Sequence, residues 1–160
     1  MLKRTNRQKN FMEIFHNNLR DLKINKILLK ILVTTVLLLA QCFNYITITD
    51  GTRNAANTAT PYVCDDTVFN SIVKWIRFSG AAGTQISTSV VPINHCGTCA
   101  TGWYTGTMPA VGVTTTGTVC YYYSSNTCVW SNSISVTNCT GYYVYGLIAP
   151  PGCVSRYCTT

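Results

Sequence analysis

The sequence predicts a mostly β, small, disulfide-rich extracellular domain built from short strands and hairpins. Three observations lead to this fold class. All nine cysteines lie at or after Cys42, and they follow a segment that resembles an export signal, as expected for a protein of an oxidising compartment. Residues 42–160 are rich in Thr, Ser, Gly, Val and Tyr, contain no Glu, and show no long run of apolar residues at helical spacing.

The first predicted segment is a basic leader at residues 1–41. Its apolar run at residues 27–40 is followed by Gln41 and Cys42, which is the order of a signal peptide and its cleavage site. We expect cleavage near Ala40 or Gln41 and a secreted product. The alternative is a type II signal anchor that keeps the cysteine-rich part outside the cell. Only the ten residues 31–40 run without a charge or a strongly polar group, whereas a membrane span needs about 20 mostly apolar residues. A membrane partner is therefore expected only if the leader stays uncleaved.

Charge separates the leader from the rest of the chain. The formal net charge is +7, of which residues 1–41 carry +6, from eight Lys and Arg against Glu13 and Asp21. Residues 42–160 therefore carry only +1. A nucleic-acid partner would require a basic face on the folded part, so the sequence predicts none.

Residues 42–160 are within the usual size of one domain, and their β-prone runs predict the strands. The clearest strand is 129–137, where Trp130, Ile134 and Val136 alternate with serines and so give one apolar face. A shorter run at 120–123 precedes it, and the turn-rich residues 124–127 predict a hairpin with Cys120 and Cys128 near its open end or across it. Further strands are predicted at 72–78 and 142–147, and the prolines at 150–151 end the latter.

Several motifs, in the same order along residues 42–160, resemble a known family. The run from Cys139 to Cys158 contains Gly-Tyr-Tyr-Val-Tyr, Ala-Pro-Pro and two closely spaced cysteines. Upstream lie Trp75-Ile76-Arg77-Phe78, His95-Cys96-Gly97-Thr98, and Trp103 followed by Gly-Thr-Met-Pro. Together they resemble the cysteine-rich domain of the uromodulin and pancreatic zymogen-granule glycoprotein type, which is found in extracellular mosaic proteins.

The resemblance implies a disulfide pattern that spacing alone could not choose. The implied pairs are Cys42–Cys139, Cys64–Cys153, Cys96–Cys158 and Cys120–Cys128, which leaves Cys99 as an unpaired thiol. The family has two further cysteines, bonded to each other, at the positions of Val90 and Thr127 in this chain. Both are absent here, as expected when a bridge is lost as a unit.

The sequence offers little support for catalysis, a cofactor or a metal. Cys96 and Cys99 form a Cys-x-x-Cys pair, but Ala100-Thr101-Gly102 is a poor helix start for a redox dithiol, and zinc would need a second ligand pair. His95 is the one histidine after Cys42, and no Gly-x-Ser-x-Gly motif is present. Asp65 and Asp66 are expected in a solvated turn. We therefore predict no catalytic residue, no cofactor and no metal.

The aromatic residues have two possible roles. The tyrosines could form a ligand platform, although alternation along strands predicts that about half of them face the core. These are Tyr104, Tyr121, Tyr122, Tyr123, Tyr142, Tyr143 and Tyr145. The tryptophans Trp75, Trp103 and Trp130 are predicted to be core residues.

The function implied by the resemblance is that of a secreted, non-catalytic recognition module, stabilised by disulfides, that binds an extracellular protein or carbohydrate. The sequence does not identify that partner. The alternative is a structural component of an extracellular coat or matrix, in which Cys99 could form a cross-link.

Overall fold

The computed structural model describes residues 40–160, so residues 1–39, and with them the predicted leader up to its last two residues, lie outside the described part. The described chain forms seven strands in one curled sheet. They are β1 (Ile46–Ile48), β2 (Lys74–Phe78), β3 (Ala100–Tyr104), β4 (Thr114–Tyr123), β5 (Asn126–Asn138), β6 (Tyr143–Leu147) and β7 (Ser155–Tyr157). Between them lie short 3-10 turns at Ala40–Cys42, Gly51–Arg53, Asp65–Thr67 and Gly80–Ala82. Within residues 40–160, no helix is both long and apolar enough to cross a membrane.

The strand order in the sheet is β1-β2-β6-β5-β4-β3-β7. The inner pairs are antiparallel, whereas β1 pairs with β2 and β7 pairs with β3 in parallel at the two edges. Parallel neighbours cannot be joined by a tight hairpin. The long connection at residues 49–73 therefore carries the chain from β1 to β2, whereas β7 reaches the other edge after only seven residues that follow β6.

The mostly β prediction is confirmed, and the predicted hairpin forms around a turn at Ser124 and Ser125. Its strands are longer than predicted, with Gly117 opposite Ile134 and Tyr121 opposite Trp130. Ile134 and Val136 are buried while Ser131 and Ser133 are exposed, so the alternation on β5 is confirmed up to Val136. It ends at Thr137, which is buried. Strands β1, β3 and β7 were not predicted: β1 and β7 have only three residues each, and β3 shows no alternation because four of its five residues are buried.

Tyrosine, rather than tryptophan, fills the core. Tyr104, Tyr121, Tyr145 and Tyr157 are all at most 1% exposed. A buried hydroxyl needs a hydrogen-bond partner, and three of these tyrosines have one. The Tyr121 hydroxyl donates to Asn132 Oδ1 at 2.7 Å, and the Tyr157 hydroxyl donates to the Ile148 carbonyl at 2.9 Å. The Tyr145 hydroxyl accepts a hydrogen bond from the Ile86 amide at 3.1 Å.

The three tryptophans, predicted as core residues, are only half-buried. Trp75 and Trp130 pack at the edges of the apolar clusters, and the Trp103 indole donates to the Thr127 carbonyl at 3.0 Å. An indole carries a polar N–H at one end of a large ring. Such a ring can cover the edge of a core while its N–H remains at the surface.

Asp65 corrects another expectation, because it lies in the interior rather than in a solvated turn. Its carboxylate is 0% exposed and receives both terminal nitrogens of Arg53, at 2.7 and 2.5 Å. It also accepts the Tyr157 amide at 2.9 Å. Asp66 is exposed, because adjacent side chains of the 3-10 turn Asp65–Thr67 project about 120° apart around its axis. A buried charge is tolerated only when paired and hydrogen-bonded, and Arg53 meets that need from a distant segment.

Residues 40–160 contain three disulfides. Cys42 bonds Cys139 and Cys96 bonds Cys158, each with a Cα–Cα distance of 5.5 Å, and Cys120 bonds Cys128 across the hairpin at 4.7 Å. These are three of the four pairs that the resemblance implies.

The structure differs from the implied pattern at the fourth pair. Cys64 and Cys153 are not bonded to each other, and both are free thiols together with Cys99. Cys153 is exposed on the loop between β6 and β7, whereas Cys64 and Cys99 are partly buried.

Candidate functional site

The site with the clearest binding chemistry is an arginine held by two tyrosine rings. Arg77 lies on β2, and the carbon at the centre of its guanidinium is 4.1 Å from the centre of the Tyr142 ring and 5.8 Å from that of Tyr45. Arg77 Nη1 also donates a hydrogen bond to the Tyr45 hydroxyl at 3.1 Å. Cation–π contacts of this kind hold a guanidinium plane in place. We call these three residues the arginine clamp.

The arginine clamp borders a shallow groove of about 150 Å³. The groove is too small for a drug-sized ligand, since such pockets have volumes of about 300–1,000 Å³. It is large enough for one acidic group or part of one sugar ring. Its lining residues are Arg77, Phe78, Ser79, Thr84, Gln85, Gly141, Tyr142 and Tyr143.

A disulfide fixes the position of Tyr142 in the clamp. The Tyr142 hydroxyl donates to the carbonyl of Cys42 at 2.7 Å, and Cys42 is bonded to Cys139 close by in the chain. Burial and the neighbouring Tyr45 raise the pKa of Tyr142, against the opposing effect of Arg77. Tyr142 is therefore a neutral hydrogen-bond donor at physiological pH. On the other side of Tyr142, Phe43 is 77% exposed and lines a neighbouring cavity of about 240 Å³ together with Tyr142 and the Cys42–Cys139 bridge.

Arg77 is distinguished from the other arginines by the absence of a compensating carboxylate. Arg53 is paired with Asp65, and Arg156 Nη2 lies 2.5 Å from Asp50 Oδ2. Arg77 makes no ion pair within the described chain, 40–160. Its Nε is buried without a hydrogen-bond partner there, as are the Nε atoms of Arg53 and Arg156, so the missing carboxylate alone sets Arg77 apart. The clamp thus presents an unneutralised, preorientated guanidinium, which is the group that best recognises carboxylates, sulfates and phosphates.

The tyrosines that sequence analysis proposed as a ligand platform divide between two environments. Tyr142 and Tyr143 line the groove, and Tyr123 is 41% exposed beside Trp130, with ring centres 5.6 Å apart. Tyr104, Tyr121 and Tyr145 belong to the core. The structure therefore brings together only the pair from the start of β6 as part of a candidate site.

Sequence analysis did not single out Arg77 as a binding residue. One signal was available in the sequence. Residues 42–160 contain only four basic side chains, and Arg77 lies within a predicted strand, where its side chain can contact side chains of the neighbouring strands. The partners Tyr45 and Tyr142 come from distant segments, so the clamp itself could not be read from spacing.

The three free thiols form a second cluster. Val63, next to Cys64, donates its amide to the Gly97 carbonyl at 2.7 Å, and Ala100, next to Cys99, donates to the carbonyl of Val154, next to Cys153, at 2.9 Å. Burial raises the pKa of the Cys64 thiol, and the neighbouring Asp66 carboxylate raises it further.

These thiols are not arranged as a metal centre. Within the described part of the chain, no group of three or more His, Cys, Asp or Glu side chains is placed to hold a metal ion. His95 is half-buried, and its Nδ1 lies 3.1 Å from the carbonyl oxygen of Ile93.

Comparison with known proteins identifies the family. Residues 76–159 match the model of the uromodulin-like cysteine-rich domain. The chain is 37% identical over 120 residues to the pancreatic secretory granule membrane major glycoprotein GP2 of Homo sapiens, and 36% identical over 121 residues to uromodulin of Rattus norvegicus. Each alignment covers 74% of this chain but only 22% and 18% of the respective relative, so the chain spans about a fifth of their length. The chain belongs to the uromodulin-like cysteine-rich domain family.

Proposed function

We propose that this chain is a secreted, non-catalytic, disulfide-stabilised recognition module that binds an extracellular protein or carbohydrate partner, and that the arginine clamp receives an acidic group of that partner. The observation that carries the proposal is the Arg77 guanidinium, which lies over the Tyr142 ring and near the Tyr45 ring beside an open groove and has no carboxylate partner among residues 40–160. Family membership and the predicted export signal support an extracellular location.

The physical basis is preorganisation. A free arginine side chain loses rotamer entropy when it binds, whereas the Tyr142 ring and the Tyr45 hydroxyl already restrain Arg77. Binding energy is then lost less to ordering the side chain. An acidic sugar or an acidic side chain would contact the guanidinium, while the exposed ring of Phe43 would contact the apolar part of the same partner.

The test is binding of the oxidised full chain to an array of glycans and extracellular protein domains, with Arg77→Gln compared to wild type. A charge-assisted hydrogen bond contributes about 1.5–3 kcal/mol, so Arg77→Gln should weaken binding to acidic partners by about 10- to 100-fold. Lys74→Gln is the matched control. It removes one positive charge from the same strand, and Lys74 donates to the Val68 carbonyl away from the groove.

Two further measurements make the comparison decisive. Denaturant unfolding of both variants shows whether each is folded, and binding at increasing salt shows whether an ionic contact is involved. Equal affinities of wild type and Arg77→Gln for every acidic partner would refute the role of the clamp. Equal losses in the two variants would point to a general effect of net charge instead.

A structural role in an extracellular coat or matrix is the second candidate function. It is favoured by the exposed thiol of Cys153, which no intrachain bond occupies in the structure. Non-reducing electrophoresis separates the two candidates, because a matrix component would form covalent multimers beyond a dimer, while a recognition module need not.

A further inference from the structure

We propose that the outward face of β4 and β5, together with Trp75 on β2, is a binding site for a neutral, extended polysaccharide. The site uses hydroxyl side chains and one indole ring, and it needs no acidic group on the ligand. It is therefore distinct from the arginine clamp, which binds through charge, and either site can exist without the other.

Strand register places five hydroxyl side chains on one face of the sheet. Thr116 lies opposite Ser135, and Thr118 lies opposite Ser133. Residues directly opposite each other on antiparallel strands share a face, and the same face returns at every second residue. Ser131, which lies opposite Cys120, therefore belongs to this face as well. We call Thr116, Thr118, Ser131, Ser133 and Ser135 the hydroxyl face.

The hydroxyl face points to solvent because the opposite face of the same strands belongs to the core. Val119 and Ile134, which alternate with the hydroxyl residues, are at most 2% exposed. Ser135 is half-buried, and the other four hydroxyl residues are exposed. The ladder spaces these side chains by about 5 Å between strands and about 7 Å along a strand. Such rows are ordered in advance for a ligand with regularly repeated polar groups.

These hydroxyls have little to bind within residues 40–160. Only Ser133 uses its side chain there, donating to the Gly117 carbonyl at 3.5 Å, and the other four side chains make no hydrogen bond to that part of the chain. The next row differs, because Thr114 and Thr137 are hydrogen-bonded to each other and both accept from Gln41. Donors and acceptors are therefore available to a ligand only on the hydroxyl face.

The absence of charge indicates which class of ligand fits. Residues 114–138 contain no Asp, Glu, Lys or Arg, whereas a surface that serves only solubility carries about 25–35% charged residues. An acidic polysaccharide or a nucleic acid would meet no complementary charge here. Serine is also depleted from protein–protein interfaces. A neutral sugar fits, because hydroxyls on both sides donate and accept, and no ion loses its hydration.

Trp75 adds an apolar ring at the border of the hydroxyl face. Gly146 on β6 lies between Trp75 and Ser135, since it pairs with both. Ring carbons Cζ3 and Cη2 of Trp75 are 3.4 Å from the position that a Cβ of Gly146 would occupy, so the ring lies close over β6. Trp75 is only half-buried. Its indole can therefore contact the C–H face of a sugar ring while hydroxyls at the ring edge reach the neighbouring side chains.

The layout selects an extended chain. Trp75, Gly146, Ser135 and Thr116 form one row across four neighbouring strands, and three strand spacings of about 4.8 Å give a row of about 14 Å. A ligand that contacts both ends of this row must contain several linked sugar rings. Chains with β-1,4 links are straight ribbons that can follow the row, whereas α-1,4 links coil the chain away from it.

The test is calorimetric titration of the oxidised full chain with cellohexaose, a neutral hexasaccharide with β-1,4 links. Maltohexaose is the control ligand, because it has the same composition and charge but α-1,4 links. Cellohexaose should bind and maltohexaose should not. The affinity for cellohexaose should stay constant as salt is raised, whereas a ligand of the arginine clamp should lose affinity as its charge is screened.

Three variants locate the site on the sheet. Thr116→Val and Thr118→Val each remove one hydroxyl and keep the branched shape, so each should weaken cellohexaose binding by about 2- to 10-fold. Thr127→Val is the matched control, because it makes the same change at an exposed residue near the tip of the hairpin, and it should bind as wild type does. Trp75→Leu should weaken binding by at least about 5-fold.

Urea unfolding shows whether each variant is folded, and the two threonine variants suffice if Trp75→Leu is not. The proposal is wrong if cellohexaose does not bind, if maltohexaose binds equally well, or if Thr116→Val and Thr118→Val bind as Thr127→Val does. It is also wrong if sedimentation shows a self-association that Thr116→Val weakens while no sugar binds, because the face would then join two copies of the chain. None of these outcomes affects the arginine clamp, whose own test uses acidic partners.

Discussion

Replacing Asp65 by Asn removes one charge from the buried ion pair while keeping the shape of the side chain. Asp65 and Arg53 are 0% and 1% exposed, and two hydrogen bonds of 2.7 and 2.5 Å join them. Arg156 adds a second guanidinium, with its Nε 3.7 Å from Asp65 Oδ1. The substitution therefore leaves two buried cations with less compensation.

The expected loss is large compared with the stability of a small domain. Removing one partner of a buried ion pair costs about 3–5 kcal/mol, whereas domains of this size are stable by about 5–15 kcal/mol. With a urea m-value near 2 kcal/mol/M, a loss of about 4 kcal/mol lowers the unfolding midpoint by roughly 2 M. The Asn oxygen can still accept the Tyr157 amide, so the loss reports mainly on charge.

The measurement is urea unfolding of the oxidised protein, followed by tryptophan fluorescence. Asp66→Asn is the matched control, because it makes the same change at the adjacent, exposed residue, where surface substitutions cost within about 0.5 kcal/mol. Midpoints that agree between the two variants would refute the argument that Asp65 neutralises the buried arginines. A double replacement, Arg53→Met with Asp65→Leu, should be less destabilised than Asp65→Asn, since no unpaired charge then remains at Arg53.

Three further predictions concern packing, pH and the leader. Gly117→Ala should destabilise the domain by about 1–3 kcal/mol through overpacking, because the added Cβ would lie 2.6 Å from ring carbons of the buried Tyr104. In urea unfolding, the double variant Gly117→Ala with Tyr104→Phe should regain part of the lost stability. Burial acts to raise the pKa of Asp50, but hydrogen bonds from Thr52 and Arg156 outweigh burial and lower that pKa. The ionised carboxylate therefore stabilises the fold above the unfolded pKa of about 3.9, and this stabilisation is lost as the pH falls through the lower, folded pKa. The stability difference between wild type and Asp50→Asn should vanish in acid unfolding, and a difference that stays constant with pH would contradict this. N-terminal sequencing of secreted protein should begin at Gln41, which is buried and donates to two threonine hydroxyls; a start at Cys42 would show that these bonds are dispensable.

The sequence alone established the class of this domain and its central hairpin. Cysteine number, the predicted export signal and the absence of helical periodicity predicted a disulfide-rich β fold, because composition and period are properties of the chain itself. The alternation on β5 predicted which of its residues are buried, with Ile134 inside and Ser133 outside. These features depend on neighbouring residues, which is why they could be recognised before any contact was known.

The tertiary structure alone decided which polar residues are internal and which cations are free. Asp65 and Asp66 are equivalent in the sequence, yet only Asp65 meets a distant guanidinium. Arg77 obtains its orientation from Tyr45 and Tyr142, which lie on different segments. The three free thiols likewise come together through pairing of β3 with β7 and a loop contact near Cys64. Each of these sites is made by residues far apart in the chain, and contacts between such residues leave no period or spacing in the sequence.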